Sequence, residues 1–254
     1  MSLAARLARA GSAVVSALAA VLMLGLLAFA GLALWQDAAV SRGAFAGAEL
    51  LRYKPAVLSA AAPTLTELQA VNPDVRGWLT VDGTHIDYPI VQGATNMDYI
   101  NRDVYGAFSL SGAVFLDSRN APDLTDAYSI FYGHHMENGA MFGDVSKFTD
   151  AAYFDAHPDA SVVVPGAVYT LELFACLEAD AYDPVLYTPE QYTDSVQTLL
   201  DYAAANAVQW RDIGAAAGDR LAALSTCAGA ETNGRVVLLG RLRPATLDEG
   251  DETQ

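Results

Sequence analysis

Residues 224–235 read LSTCAGAETNGR and connect two apolar segments, 220–227 (RLAALSTC) and 235–242 (RVVLLGRL). The first segment ends at Cys227 and the second begins at Arg235. The seven residues between them are small or polar, and so short a connection keeps both strand ends at the same edge of a sheet. The sequence therefore predicts a thiol and a guanidinium close together at the ends of two neighbouring strands.

Similar short apolar segments recur after Asn72, and turn residues separate most of them. In the first of these, residues 78–91, Asp82 and Gly83 are typical of a two-residue hairpin turn, so this stretch predicts two strands. With the two segments above, about eight strands are expected, and this number favours a mainly β fold with a closed or nearly closed barrel. The remaining segments are GAVFLD (112–117), AYSIFYG (127–133), ASVVVPG (160–166) and AVYTLELFACLEA (167–179).

One long helix is predicted between these strands, from Thr188 to about Trp210. Thr188 fits the N-cap position, Pro189 fits the first helical position, and Gln191 completes a capping box. Apolar residues then recur at helical spacing, which predicts one buried face. These residues are Tyr192, Val196, Leu199, Leu200 and Ala203.

The N-terminal residues predict a helix that spans a membrane. Residues 10–36 contain no charged side chain, and about 20 apolar residues cross the hydrocarbon core of a bilayer as a helix. Arg6 and Arg9 precede this segment and no acidic residue appears before Asp37, which predicts a cytoplasmic N-terminus and an extracellular remainder. A cleaved signal peptide is the alternative, because residues 28–30 fit a cleavage site, but the length of the apolar segment favours an uncleaved signal anchor.

The charge of the chain limits its partners. The formal net charge is −16, or −18 when Arg6 and Arg9 are left out of the count. Nucleic acids and anionic lipid headgroups both attract basic surfaces, so the sequence argues against both as partners. No cluster of metal ligands is visible in the sequence, and no metal or cofactor is expected.

The two cysteines have different surroundings in the sequence. Cys176 lies within a long apolar segment, where a free cysteine behaves as a small hydrophobic residue. Cys227 lies at a strand end, before small and polar residues. Because an exported protein with two thiols can form a disulfide, a bridge between Cys176 and Cys227 is the alternative to a reactive Cys227.

A histidine pair follows a glycine in the stretch YGHHMENGAMF, residues 132–142, at the end of a predicted strand. A cysteine nucleophile acts as a thiolate, and a neighbouring imidazole can accept its proton. An arginine can stabilise the oxyanion that develops during acyl transfer. Cys227, Arg235 and a histidine such as His134 are therefore a sufficient set for acyl transfer, although the order of residues alone does not show that His134 joins the other two.

Together these motifs resemble the sortases, the surface transpeptidases of Gram-positive bacteria, and class B of that family in particular. The order YGHHM, LSTC and GR carries the resemblance, which extends over about residues 65–243. The helix predicted between the Cys176 and Cys227 strands also resembles a class B insertion. One position departs from the family signature TLxTC, because Ala223 stands where the first threonine is common, but the nucleophile is intact. The other matching stretches are 72–93, 112–120 and 133–145.

The resemblance implies an eight-stranded sortase-like β-barrel with an inserted helix and an N-terminal transmembrane helix. It also implies that His134 is the catalytic histidine, Cys227 the nucleophile and Arg235 the residue that stabilises the oxyanion. The Cys227 thiolate would attack the carbonyl that follows a threonine in the C-terminal sorting signal of a surface protein. An amine of a peptidoglycan precursor would then resolve the thioester. Tyr182 and Tyr187, which precede the predicted helix, are candidates to line the substrate groove.

The expected organisation has four parts. Residues 1–36 form the cytoplasmic N-terminus and the signal anchor, residues 37–63 an extracellular stalk, residues 64–243 the catalytic domain and residues 244–254 an acidic tail. The protein is therefore expected to be a single-pass protein of the cell membrane with an extracellular catalytic domain.

Two other functions remain compatible with the sequence. A hydrolytic cysteine peptidase would use the same three residues with water as the acceptor. A noncatalytic, membrane-tethered β-barrel for adhesion or ligand binding would instead have Cys227 buried or bridged to Cys176.

Overall fold

A computed structural model describes residues 3–55, 63–227 and 233–245. The chain divides into two compact units, Met1–Arg42 and Gly43–Gln254. Helix α1 (Leu3–Gly43) accounts for the described part of the first unit.

Helix α1 contains a segment that is long and apolar enough to cross a membrane. This segment, Gly11–Ala38, has 28 residues, a mean hydropathy of 2.5 and no buried share, and it is the one such helix among the described residues. Both the signal anchor and the cleaved signal peptide predict a segment of this kind. The helix extends beyond the uncharged residues 10–36 at both ends.

The second unit is a β-barrel with short helices around it. Its helices are α2 (Ala48–Leu51), α3 (Pro63–Val71), α4 (Ala151–Ala156), α5 (Pro184–Tyr187) and α6 (Gln197–Asn206), with 3-10 helices at Gly143–Thr149 and Pro189–Gln191. Its strands are β1 (Val75–Thr80), β2 (Asp87–Val91), β3 (Val114–Leu116), β4 (Tyr128–His134), β5 (Asp159–Val164), β6 (Ala167–Asp180), β7 (Gln209–Trp210), β8 (Arg220–Cys227) and β9 (Gly234–Pro244).

Within the described residues, nine strands form one sheet in the order β5-β1-β2-β3-β4-β8-β9-β6-β7, and β5 also pairs with β6. Eight strands therefore close into a barrel, which confirms the predicted mainly β, eight-stranded fold. The long strand β6 pairs with β5 through its first half and with the two-residue β7 at Ala175 and Cys176. Strand β7 was not predicted, because two residues carry no alternating pattern.

Apolar side chains lie on both faces of the strands around β8, because the barrel interior lies on one face and α6 packs against the other. Phe131, Leu224 and Leu238 belong to the cluster that fills the barrel. Ile130 and Ala223, one residue earlier on their strands, belong to a second cluster on the outer face, together with α6. The five apolar residues predicted for one helix face all lie in this second cluster.

The predicted helix from Thr188 to Trp210 is wrong in its extent. The Thr188 side chain makes no capping hydrogen bond, and α6 begins only at Gln197. The Val196 N–H donates to the Ala217 carbonyl at 2.9 Å, and the Val208 N–H donates to the Cys176 carbonyl of β6 at 2.8 Å. Hydrogen bonds to neighbouring segments thus replace helical ones at both ends, and this tertiary context outweighs local helix propensity.

The predicted hairpin of β1 and β2 is present, with Trp78 paired to Pro89, but its connection is longer than expected. The loop spans residues 81–86 instead of two residues, and the Val81 N–H donates to the Ile86 carbonyl at 2.8 Å. Gly83 has a φ of +76°, a conformation that glycine adopts without steric cost.

Candidate active site

Strands β4, β8 and β9 are neighbours, and they carry the three candidate catalytic residues. The parallel register of β4 and β8 pairs His134 with Cys227. The antiparallel register of β8 and β9 pairs Ser225 with Val237, and its continuation by two residues places Cys227 opposite Arg235. Because neighbouring strands lie about 4.8 Å apart, the backbones of these three residues lie side by side at one edge of the barrel. The Cys227 side chain and residues 228–232 lie outside the described part of the chain.

The side chain of His134 is held by the loop between β2 and β3. Its Nε2 lies 2.7 Å from the carbonyl oxygen of Ile100. Its ring lies against Gly112, where an added Cβ would be 3.0 Å from the ring and 2.4 Å from the Ile100 carbonyl oxygen. Since a carbonyl only accepts hydrogen bonds, Nε2 carries the proton in the neutral ring. The Nδ1 atom is therefore the nitrogen that can accept a proton from a thiol. The adjacent His135 is exposed and bridges to Met141.

A groove of about 220 Å³ opens beside Arg235, and Ile100, Tyr132 and Tyr187 contribute to its lining. It therefore touches the loop that holds His134 and the segment before α6. Of the two tyrosines expected near the substrate, Tyr187 lines this groove. The side chain of Tyr182 is 79% exposed and lies outside the lining.

The alternative disulfide between Cys176 and Cys227 is contradicted by the structure. Cys176 is a free thiol that is fully buried in the barrel interior. Burial raises the pKa of its thiol to about 12, so this cysteine stays protonated and unreactive at neutral pH. Cys176 is therefore a packing residue.

An ion pair between a buried carboxylate and an exposed guanidinium beside the groove was not identified from the sequence. Asp117, which follows β3, is fully buried and accepts hydrogen bonds from Arg119 Nε at 2.9 Å and Nη2 at 2.7 Å. The Tyr132 hydroxyl and Asn96 Nδ2 each donate to Asp117 Oδ2 at 3.0 Å. Burial by itself raises the pKa of the Asp117 carboxyl, but the bonds from Arg119 and Asn96 outweigh it and hold the pKa below its ordinary value. Asp117 is thus a carboxylate with charged and polar partners.

In the part of the chain that the structure describes, no group of three or more His, Cys, Asp or Glu side chains is arranged to hold a metal ion.

Comparison with known proteins identifies the family of the chain. No family model matches it. Sortase B of Listeria monocytogenes is 33% identical over 180 residues, which cover 70% of this chain and 73% of that protein. A crystal structure of a Streptococcus pyogenes class B sortase involved in pilus biogenesis is 42% identical, with a TM-score of 0.65 over 70% of this chain and 97% of that one. A substrate complex of Staphylococcus aureus sortase B is 28% identical, with a TM-score of 0.67 over 72% of this chain and 86% of that one. This sequence identity, together with the shared barrel, shows that the chain belongs to the class B sortases, the cysteine transpeptidases of the Gram-positive cell wall.

Proposed function

We propose that this class B sortase cleaves the C-terminal sorting signal of a surface protein after a threonine and joins the new C-terminus to an amine of a peptidoglycan precursor. The observation that supports the proposal is the strand register, in which His134 pairs with Cys227 and Ser225 pairs with Val237, two residues before Cys227 and two after Arg235. The substrate complex of the Staphylococcus aureus relative supports a peptide substrate for this chain as well.

In the proposed first step, the Cys227 thiolate adds to the carbonyl carbon after the threonine, and the carbonyl oxygen gains negative charge. The Arg235 guanidinium donates hydrogen bonds to this oxyanion and keeps its own charge throughout. The C–N bond then breaks, and His134 gives a proton to the departing amine. The product is a thioester between the sorting signal and Cys227.

In the proposed second step, an amine of the peptidoglycan precursor attacks the thioester carbon. His134 accepts a proton from this amine, and the Cys227 sulfur leaves as the new amide bond forms. The hydrogen bond of His134 Nε2 to the Ile100 carbonyl fixes the ring, so the proton is exchanged at Nδ1 in both steps. The enzyme returns to its starting state without any external oxidant or reductant.

The proposed organisation places this chemistry on the outer surface of the cell membrane. We assign residues 1–36 to the cytoplasmic N-terminus and signal anchor, 37–63 to a stalk, 64–243 to the catalytic domain and 244–254 to an acidic tail. Within the stalk, Ala44 and Tyr53 are buried in the apolar clusters of the barrel unit, so its described residues from 43 onward pack with the catalytic domain. Both substrates are tethered to the same membrane in this proposal, and confining all three partners to one surface raises their effective concentration.

The Cys227→Ala variant tests the nucleophile. Purified full-length protein in detergent is mixed with a library of peptides that share one fixed threonine and can be told apart by mass. Triglycine is added as the amine acceptor. We expect the wild-type protein to form a thioester and a peptide–triglycine product, and the variant to form neither, because alanine has no nucleophilic atom. Intact-mass and peptide mass spectrometry detect both species.

The matched control is Cys176→Ala, which removes the buried thiol and leaves Cys227 in place; it should still form the thioester. A thioester or transfer product in Cys227→Ala would refute the assignment. Release of free acid alone, even with triglycine in excess, would indicate a hydrolytic peptidase. A native Cys227 that forms no thioester and resists iodoacetamide would indicate a noncatalytic binding barrel.

A further inference from the structure

The guanidinium of Arg119 connects the buried Asp117 to a segment outside the barrel. Besides its bonds to Asp117, its Nη2 donates to the Tyr187 carbonyl at 2.9 Å and its Nη1 lies 3.1 Å from a Glu190 carboxylate oxygen. Tyr187 ends α5 and Glu190 lies in the 3-10 turn that follows. A planar group with five N–H donors can make these bonds at once, whereas a single ammonium cannot.

The segment that Arg119 contacts forms one wall of the groove beside Arg235. The Tyr187 ring stacks on Tyr132, with ring centroids 6.4 Å apart and planes 19° apart. The Tyr187 hydroxyl lies 2.9 Å from Ser225 Oγ of β8, two residues before Cys227. A shift of Tyr187 would therefore change the width of the groove beside Arg235.

Asp117 also holds two other residues that line the groove. Its carboxylate accepts from Tyr132, a lining residue on β4, and from Asn96 in the loop between β2 and β3. The Asn96 side chain in turn accepts from the Ser118 N–H at 2.7 Å. One buried carboxylate thus orients Tyr132 and Asn96, and Arg119 extends its reach to Tyr187.

We propose that Arg119 is a positioning residue that holds residues 187–190 against the buried Asp117 and thereby sets the affinity of the groove for the sorting signal. The inference rests on the proposed function, because it takes the groove to be where the sorting peptide binds. Since the chemical steps belong to His134, Cys227 and Arg235, the Asp117–Arg119 pair acts on peptide binding and leaves the reaction itself unchanged.

The Arg119→Lys variant tests this inference through the separation of KM from kcat. The peptide that the wild-type protein transfers fastest from the library is synthesised on its own, and its transfer to triglycine is measured. Titration of Cys227 gives the concentration of active enzyme from which kcat is calculated. We expect KM for the peptide to rise about tenfold, because lysine keeps the charge but cannot hold both Asp117 and Tyr187. The kcat value and the KM for triglycine should stay within about twofold of wild type.

The matched control is Arg243→Lys, because the exposed Arg243 of β9 donates to Glu172 at 2.9 Å and is not among the residues that line the groove. It should leave KM for the peptide unchanged. A general loss of folding would lower the titrated fraction of active enzyme in either variant. It would lower the maximal rate, for which the titration corrects, and would leave KM unchanged.

Hydrogen exchange of the full-length protein gives a readout that needs no substrate. Amides of residues 185–188, 190 and 191 should exchange faster in Arg119→Lys than in wild type or Arg243→Lys, while those of β8 should not change. Unchanged exchange in this segment, or an unchanged KM, would overturn the inference. If the wild-type protein transfers no peptide, the proposed function fails, and the exchange experiment alone decides whether Arg119 holds this segment.

Discussion

At the scale of single residues, Arg235 offers the sharpest test of the proposed oxyanion site. Arg235→Lys keeps a positive charge but replaces a planar fork of N–H donors by one ammonium. Removing one donor from an oxyanion site typically costs a factor of 100 to 1,000, so we expect kcat/KM to fall about 100-fold. Steady-state transfer kinetics measure this change. Near-normal turnover would contradict the oxyanion role, and Arg243→Lys on the same strand is the matched control.

Individual residues differ in how far the sequence could place them. The proximity of Cys227 and Arg235 was predictable, because seven residues connect the two strands. The position of His134 beside Cys227 depends on a parallel pairing between strands that are far apart in the chain, which only the family resemblance indicated. Asp117 and Arg119 were missed, because a short Asp-x-Arg sequence follows no spacing rule that would indicate its partners. The partners of this pair lie far away in the chain, on β4 and in the segment before α6.

At the scale of elements, helix α6 owes its place to the apolar residues it packs against the outer face of the sheet. Leu199 is fully buried in the outer cluster, and replacing a buried leucine by alanine typically costs about 3 kcal/mol. We therefore expect Leu199→Ala to lower the free energy of unfolding by about 3 kcal/mol, as measured by urea titration and tryptophan fluorescence. Thr198→Ala, at an exposed position of the same helix, is the control and should change it by less than about 0.5 kcal/mol.

The buried face of α6 could be predicted from the sequence, but the start of the helix could not. The burial of Leu199 followed from helical spacing alone, and the structure confirms it. The helix start did not follow, because the capping motif at Thr188 is local whereas the bonds that shape this region are not. The Gln191 side chain, expected to complete a capping box, donates to the Pro184 carbonyl at 2.8 Å instead. Strand pairs and hairpins repeat over many residues, so their patterns are less sensitive to one such contact.

At the scale of the whole molecule, the acidic charge and the apolar N-terminal segment have opposite effects on membrane contact. The chain has a net charge of −16, so its surface is repelled by anionic lipid headgroups. The 28-residue segment Gly11–Ala38 is apolar enough to insert into the bilayer. We therefore expect membrane contact to depend on this segment and to gain nothing from electrostatic attraction by the rest of the chain.

Removal of residues 1–42 tests that dependence, because residues 43–254 form a separate compact unit. With peptide and amine both anchored in anionic vesicles, we expect transfer by the truncated protein to be at least about tenfold slower than by the full-length protein, since the enzyme is no longer confined to the same surface. With soluble peptide and triglycine, the two proteins should transfer at the same rate. Fusion of an unrelated transmembrane helix to residue 43 should restore the rate on vesicles, because confinement requires a span and not a particular sequence. Equal rates of the truncated and full-length proteins on vesicles would show that the segment does not serve as the anchor.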